Sequence, residues 1–146
     1  MISILYVDDE PGLREICRIF LEETGEFSID TVESGADALV RLGERHYDAV
    51  VADYQMPAMD GISLLKAIRS RIGDIPFILF TGRGREEVVI EALNNGADFY
   101  LQKGGDPKSQ FAELIHHVRQ AVSKKNAEKK AAKIAFEKLG LNANAE

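Results

Sequence analysis

Apolar residues recur along the chain in two alternating rhythms. Dense apolar runs of strand length fall at about 2–7, 27–31, 48–52, 76–80 and 98–101. Between them, apolar positions return every three or four residues over about 11–24, 35–44, 61–71 and 85–95, and again from 107 onward. Short runs bounded by turn residues suit buried strands, and the 3-4 spacing suits helices that lay one stripe on a core. Strands alternating with helices predict βαβ units, hence an α/β domain with a parallel sheet and helices on both faces. The end signals agree with the periods. Pro11 fits the first helical position after Glu10, and Asp106-Pro107 pairs an N-cap with a first-turn proline. Ser34 with Asp37 resembles a capping box, and Gly96 stands where a helix ends on a left-handed residue.

The last helix is long. Phe111, Ile115, Val118 and Val122 follow 4-3-4 spacing and predict a face packed on the sheet. The same phase continues through Lys125, Lys129, Ala132, Phe136 and Leu139, with a stop at Leu139-Gly140-Leu141. Two readings stand for this tail: a linker helix that forms a homodimer or leads to another domain, or a solvated extension, since two seam positions are lysine.

With 146 residues, 45% hydrophobic and 29% charged, the chain fits one ordinary globular domain. From Ser123 onward six lysines face three glutamates, so the preceding body carries −9 of the net −6. Such a body is not expected to bind nucleic acid through its phosphates. No apolar stretch is long enough to span a bilayer, and no export signal precedes the first strand, so the expectation is a cytoplasmic chain without membrane contact. Cys17 is alone and lies in a helical apolar pattern, as a small buried residue would. His46, His116 and His117 lack metal-ligand spacing and read as surface or boundary residues.

Four of the apolar runs end in reactive polar residues. Ile4–Val7 leads to Asp8-Asp9, Ala49–Ala52 to Asp53, Phe77–Phe80 to Thr81 and Phe99–Gln102 to Lys103. Open α/β sheets bind ligands at the carboxyl ends of their strands. Three carboxylates, a hydroxyl and an ammonium there suit one metal ion and one phosphoryl group. Asp53 is the candidate nucleophile, since a carboxylate can take a phosphoryl group covalently. Asp8 and Asp9 beside it would repel it without a hard divalent cation, and Mg²⁺ (or Mn²⁺) matches an all-oxygen set. Thr81 can donate to a phosphoryl oxygen and Lys103 can act as a fixed cation. Taken singly, each residue has a plainer role as a cap, a turn or a surface group. Their coincidence at one sheet edge carries the reading.

Val7-Asp8-Asp9-Glu10, then Asp53-Tyr54-Gln55-Met56-Pro57-Ala58-Met59-Asp60-Gly61, then Thr81-Gly82 and Lys103, resemble the receiver domain of two-component response regulators. The resemblance covers about 2–122 in order and implies a doubly wound five-stranded sheet of order 2-1-3-4-5. It makes 1–122 the receiver and 123–146 a helical extension or linker. It implies that Asp53 accepts phosphate from a sensor histidine kinase or phosphotransfer protein. Asp8, Asp9, Asp53 and the backbone carbonyl of Gln55 would hold Mg²⁺. Thr81 and Tyr100 become the switch pair, and the face of helix 4, strand 5 and helix 5 the partner surface. The domain is then a phosphoacceptor rather than an enzyme with a separate substrate.

The chain departs from the family pattern in three places. Lys103 is followed by Gly104-Gly105 where a cis proline is usual; a non-proline cis bond costs about 3 kcal/mol, which predicts a trans bond or a looser loop. Gln55 and Arg83 occupy the positions that tune dephosphorylation, and Gly82 with Gly84 loosens the loop after Thr81. Other classes fit less well. A haloacid-dehalogenase-type phosphatase needs a second Asp two residues after its nucleophile, where this chain has Gln55 or Glu10. An unphosphorylated receiver-like module usually lacks the acceptor or a residue of the acidic pair, whereas Asp8, Asp9, Asp53, Thr81 and Lys103 are all present here. A dinucleotide-binding enzyme needs a third glycine that Gly82-Arg83-Gly84 does not supply.

Overall fold

The computed structural model of the chain describes residues 1–82 and 85–140. Five strands and five helices alternate: β1 (Ile2–Val7), α1 (Pro11–Glu22), β2 (Phe27–Val32), α2 (Gly35–Glu44), β3 (Ala49–Asp53), α3 (Gly61–Arg71), β4 (Phe77–Thr81), α4 (Glu86–Asn94), β5 (Phe99–Gln102) and α5 (Pro107–Lys138). All pairings are parallel, in the order β2-β1-β3-β4-β5. Alternate residues of each strand point to opposite faces, and the core divides accordingly. Leu5, Val7, Val50, Ala52, Phe77 and Leu79 meet α2, α3 and α4 on one face. Ile4, Tyr6, Ala49, Val51, Ile78 and Phe80 meet α1 and α5 on the other. The expected doubly wound sheet is therefore present, with β1 and β3 at its centre where the strand order reverses.

Strands β3 and β4 end one residue later than the apolar runs. Asp53 pairs with Phe80 and Thr81 with Gln102 inside the ladder. The Tyr54 N–H donates to the Phe80 carbonyl at 2.7 Å, and the Lys103 N–H to the Thr81 carbonyl at 2.7 Å. Side-chain polarity ends a hydrophobic run, but the backbone ladder continues through it, so Asp53 and Thr81 stand on rigid strand rather than loop.

The helix ends follow their chemistry. Ser34, Asp60 and Asp106 each accept a hydrogen bond from the backbone N–H three residues on. Gly96 has φ +96, as its helix-ending role requires. The described residues contain no cis peptide; Gly104 and Gly105 turn the chain after Lys103 with φ +127 and +82, a trans path that glycine permits. On α5, Leu114 and Ala121 are buried along with Phe111, Val118 and Val122, whereas Ile115 is only half-buried. The 4-3-4 pattern placed the stripe slightly off its centre. Helix α5 runs unbroken across the expected 122/123 boundary, and Lys125 on the extension pairs with Asp74. Beyond Lys129 the helix exposes Ile134, Phe136 and Leu139. Among the described residues no helix is long and apolar enough to cross a membrane.

Candidate functional site

The carboxyl ends of β1, β3 and β5 bring four predicted residues together. Asp8, Asp9 and Asp53 each offer an oxygen within 4.8 Å of the others. Lys103 Nζ lies 3.0 Å from Asp53 Oδ2 and 3.6 Å from Asp8 Oδ2. Asp8 and Asp53 are buried and Asp9 is exposed, so the cluster opens to solvent on one side.

Burial is the main perturbation at Asp53 and pushes its carboxyl above the ordinary carboxylate range; Lys103 opposes this, Asp8 adds to it, and the Gln55 N–H opposes it again. Burial also works against a charged Lys103. The carboxylates of Asp53, Asp8 and Glu10 outweigh it and leave the ammonium harder to deprotonate than usual. Lys103 is therefore a permanent cation at working pH, held against the two buried acids.

Three residues outside the predicted set hold Asp8 in place. The Tyr6 hydroxyl donates to Asp8 Oδ2 at 3.0 Å, and the Glu10 N–H donates to Oδ1 at 3.0 Å. Burial, followed by the Asp8 charge, pushes the Tyr6 phenol upward, so it stays protonated and keeps donating. Arg14 reaches back to donate to the Asp8 carbonyl at 2.7 Å. Tyr6 was legible in principle: it precedes Asp8 by two strand positions and so shares its face. Nothing local in the sequence marks Arg14.

The other predicted residues lie around this cluster. Thr81 is buried at the end of β4, with its hydroxyl 3.5 Å from the Gly82 carbonyl, at the limit of a hydrogen bond. Gln55 is exposed next to Asp53. Tyr100 on β5 points outward, 44% exposed, and shares a shallow cavity with Thr81 and Arg85. Arg83 and Gly84 lie outside the described residues. The β3–α3 loop is under strain: the Met59 N–H donates to the Pro57 carbonyl at 2.7 Å, with Ala58 between them at φ +67. A turn closed around a left-handed alanine costs on the order of 1–3 kcal/mol, and strain of this kind gathers at functional loops.

The donors available to a cation here are carboxylate oxygens, one of them fully buried and fixed by Tyr6 and Glu10. That set fits a hard divalent ion such as Mg²⁺, which takes a few carboxylates and keeps waters in its remaining positions.

A doubly wound sheet of order 2-1-3-4-5, with an acidic cluster and a lysine at its switch point, defines a flavodoxin-like domain with one strand-end site. Within that class the chain belongs to the response regulator receiver domain family, which it matches over residues 4–119. It is 34% identical over 128 residues to the response regulator Rre1 of Synechocystis sp., covering 86% of this chain and 54% of that protein. It is also 34% identical over 119 residues to the transcriptional regulatory protein ResD of Bacillus subtilis, covering 82% and 49% respectively. The chain thus spans about half the length of these curated relatives. Among solved structures, the Francisella response regulator 1452 receiver domain superposes with a TM-score of 0.77 at 30% identity, over 86% of this chain and 99% of that one. A response regulator receiver domain from Clostridium thermocellum gives 0.78 at 26% identity, over 87% and 98%.

Proposed function

We propose that Asp53 is the phosphoacceptor of a two-component phosphorelay and that its phosphorylation controls a partner or output domain. The observation that carries this is the meeting of Asp8, Asp9 and Asp53 within 4.8 Å, with Lys103 Nζ 3.0 Å from Asp53. A carboxylate oxygen of Asp53 forms a bond to phosphorus while the bond from phosphorus to the donor breaks. With a phosphohistidine of a sensor kinase or phosphotransfer protein as donor, the imidazole nitrogen keeps the electron pair. Mg²⁺ held by Asp8, Asp9, Asp53 and the Gln55 carbonyl would neutralise charge on the transferring group. Lys103 supplies a fixed cation on the buried side, paired with Asp53 and Asp8, and the Tyr6 and Glu10 contacts fix the Asp8 carboxylate.

Thr81 is the residue placed to sense the product. Its hydroxyl is weakly engaged at 3.5 Å, so a phosphoryl oxygen would draw it inward. That movement clears space beside β5 for the exposed Tyr100 ring, and the face of α4, β5 and α5 changes shape with it. Gln55 and Arg83 are the proposed regulators of dephosphorylation. The domain acts in the cytoplasm as a phosphoacceptor that assists its own phosphorylation and dephosphorylation. It binds neither membrane nor nucleic acid itself, and a homodimer through α5 is the proposed assembly.

Intact-mass measurement after incubation with Mg²⁺ and acetyl phosphate tests this reading. One acid-stable, base-labile phosphoryl group is expected on the wild type and none on Asp53→Asn. Steady donor hydrolysis with no adduct would replace the receiver reading with a phosphatase one.

A further inference from the structure

The mouth of the site is acidic. Asp8, Asp9 and Asp53 cluster there beside Glu10, whose N–H bonds Asp8, while Lys103 is already committed to Asp53 and Asp8, and Arg14 lies 3.9 Å from Glu33. An anionic phosphodonor approaching from solvent meets this field before it meets Lys103.

Arg85 is placed differently. It is half-buried and has no carboxylate partner among the described residues, although Glu86 is its chain neighbour and Asp60 lines the same cleft. Its guanidinium stands 5.4 Å from the centroid of the Tyr54 ring. Its Nε lies 4.0 Å from where a side-chain carbon on Gly82 would sit. Arg85 therefore spans the gap between the residue after Asp53 and the residue after Thr81, and it lines the clefts on both sides of that gap. Stacking on an aromatic face holds a guanidinium in place without neutralising it, whereas an ion pair would cancel its charge. The fork stays available to a phosphate.

We propose that Arg85 is a positioning residue for the phosphodonor: held on Tyr54, it draws the donor's anionic phosphate through the acidic mouth toward Asp53. This rests on Asp53 being the acceptor and adds the feature that selects among donors by charge.

The test compares second-order phosphorylation rates with acetyl phosphate, a dianion near neutral pH, and phosphoramidate, which carries a single net negative charge. Wild type, Arg85→Ala and Arg85→Lys are measured at low ionic strength with saturating Mg²⁺. Removing one partly solvated cation is expected to slow acetyl phosphate about threefold and phosphoramidate less, so that the ratio of the two rates falls. Arg85→Lys should keep most of the ratio. In roughly 0.5 M salt, where the screening length drops below about 5 Å, wild type and Arg85→Ala should converge. A loop disturbed by losing the stack would slow both donors alike. An unchanged ratio in Arg85→Ala therefore overturns the inference, whatever happens to the absolute rates. Wild type that takes no phosphoryl group on Asp53 from either donor overturns the acceptor reading itself.

Discussion

Gly61 is where packing and chemistry meet most tightly. It opens α3 directly after its cap Asp60, and its N–H donates to the Tyr54 carbonyl at 2.9 Å. A Cβ there would lie 2.6 Å from the Asp53 carbonyl oxygen, 2.7 Å from Leu79 Cδ1 and 3.1 Å from Tyr54 Cα. Leu79 can turn away, but the other two contacts are backbone of the strand end that carries the acceptor. Gly61→Ala must push α3 off the sheet or move Asp53. Overpacking of this kind costs typically 1–3 kcal/mol, and immobile partners favour the upper end, near ~3 kcal/mol. Alanine in a first helical turn returns at most about 1 kcal/mol. The net loss is then about 2 kcal/mol, or roughly 4–8 °C in Tm for a domain of this size. Urea denaturation supplies the stability, and the acetyl phosphate reaction reports the acceptor. A misplaced carboxylate should slow phosphorylation severalfold as well, because small displacements of a reacting group are expensive. Gly82→Ala is the control, since its Cβ would meet nothing closer than 4.0 Å among the described residues. Gly61→Ala within about 0.5 kcal/mol of wild type, with unchanged phosphorylation, would refute the close-approach argument; that margin is the ordinary scatter of surface substitutions.

Other outcomes follow from the same geometry. Asp9→Ala should weaken Mg²⁺ binding by roughly tenfold or more in calorimetric titration, and chelating Mg²⁺ should stop phosphorylation of the wild type. A fluorotyrosine NMR signal from Tyr100, 44% exposed here, should move to a buried environment when Asp53 is phosphorylated; a fixed signal would contradict the switch. The Cys17 thiol is fully buried and burial pushes its pKa up, so above about 8.5 the unfolded chain releases a proton that the fold retains. Stability should therefore fall as pH rises past that point, by up to about 1.4 kcal/mol per unit from this residue, and Cys17→Ala should show the shallower slope.

The parts of this domain legible in sequence are those where one residue type has one physical use. Apolar runs of strand length marked the sheet, and Pro11, Ser34 and Asp106 marked helix starts that the structure repeats. The acidic and basic strand-end residues were legible because α/β topology sends every strand end to one edge, so Asp8, Asp9, Asp53 and Lys103 meet without any local signal saying so. What escaped depended on long-range geometry. The ladder runs through Asp53 and Thr81 because backbone pairing ignores side-chain polarity. Leu114 is buried because α5 sits against β3, β4 and β5 at an angle that periodicity alone does not fix. Arg14 and Arg85 each act over several residues on another loop's atoms, and long flexible cations give no positional signature.

The central claim is that Asp53, among three clustered carboxylates, carries the phosphoryl group. Borohydride reduces an aspartyl phosphate to homoserine, and peptide mapping then reads the position of the change. After reaction with acetyl phosphate and Mg²⁺, this account predicts homoserine at position 53 and unchanged aspartate at positions 8 and 9. Homoserine at 8 or 9, or a phosphorylated peptide that borohydride leaves intact, would contradict it.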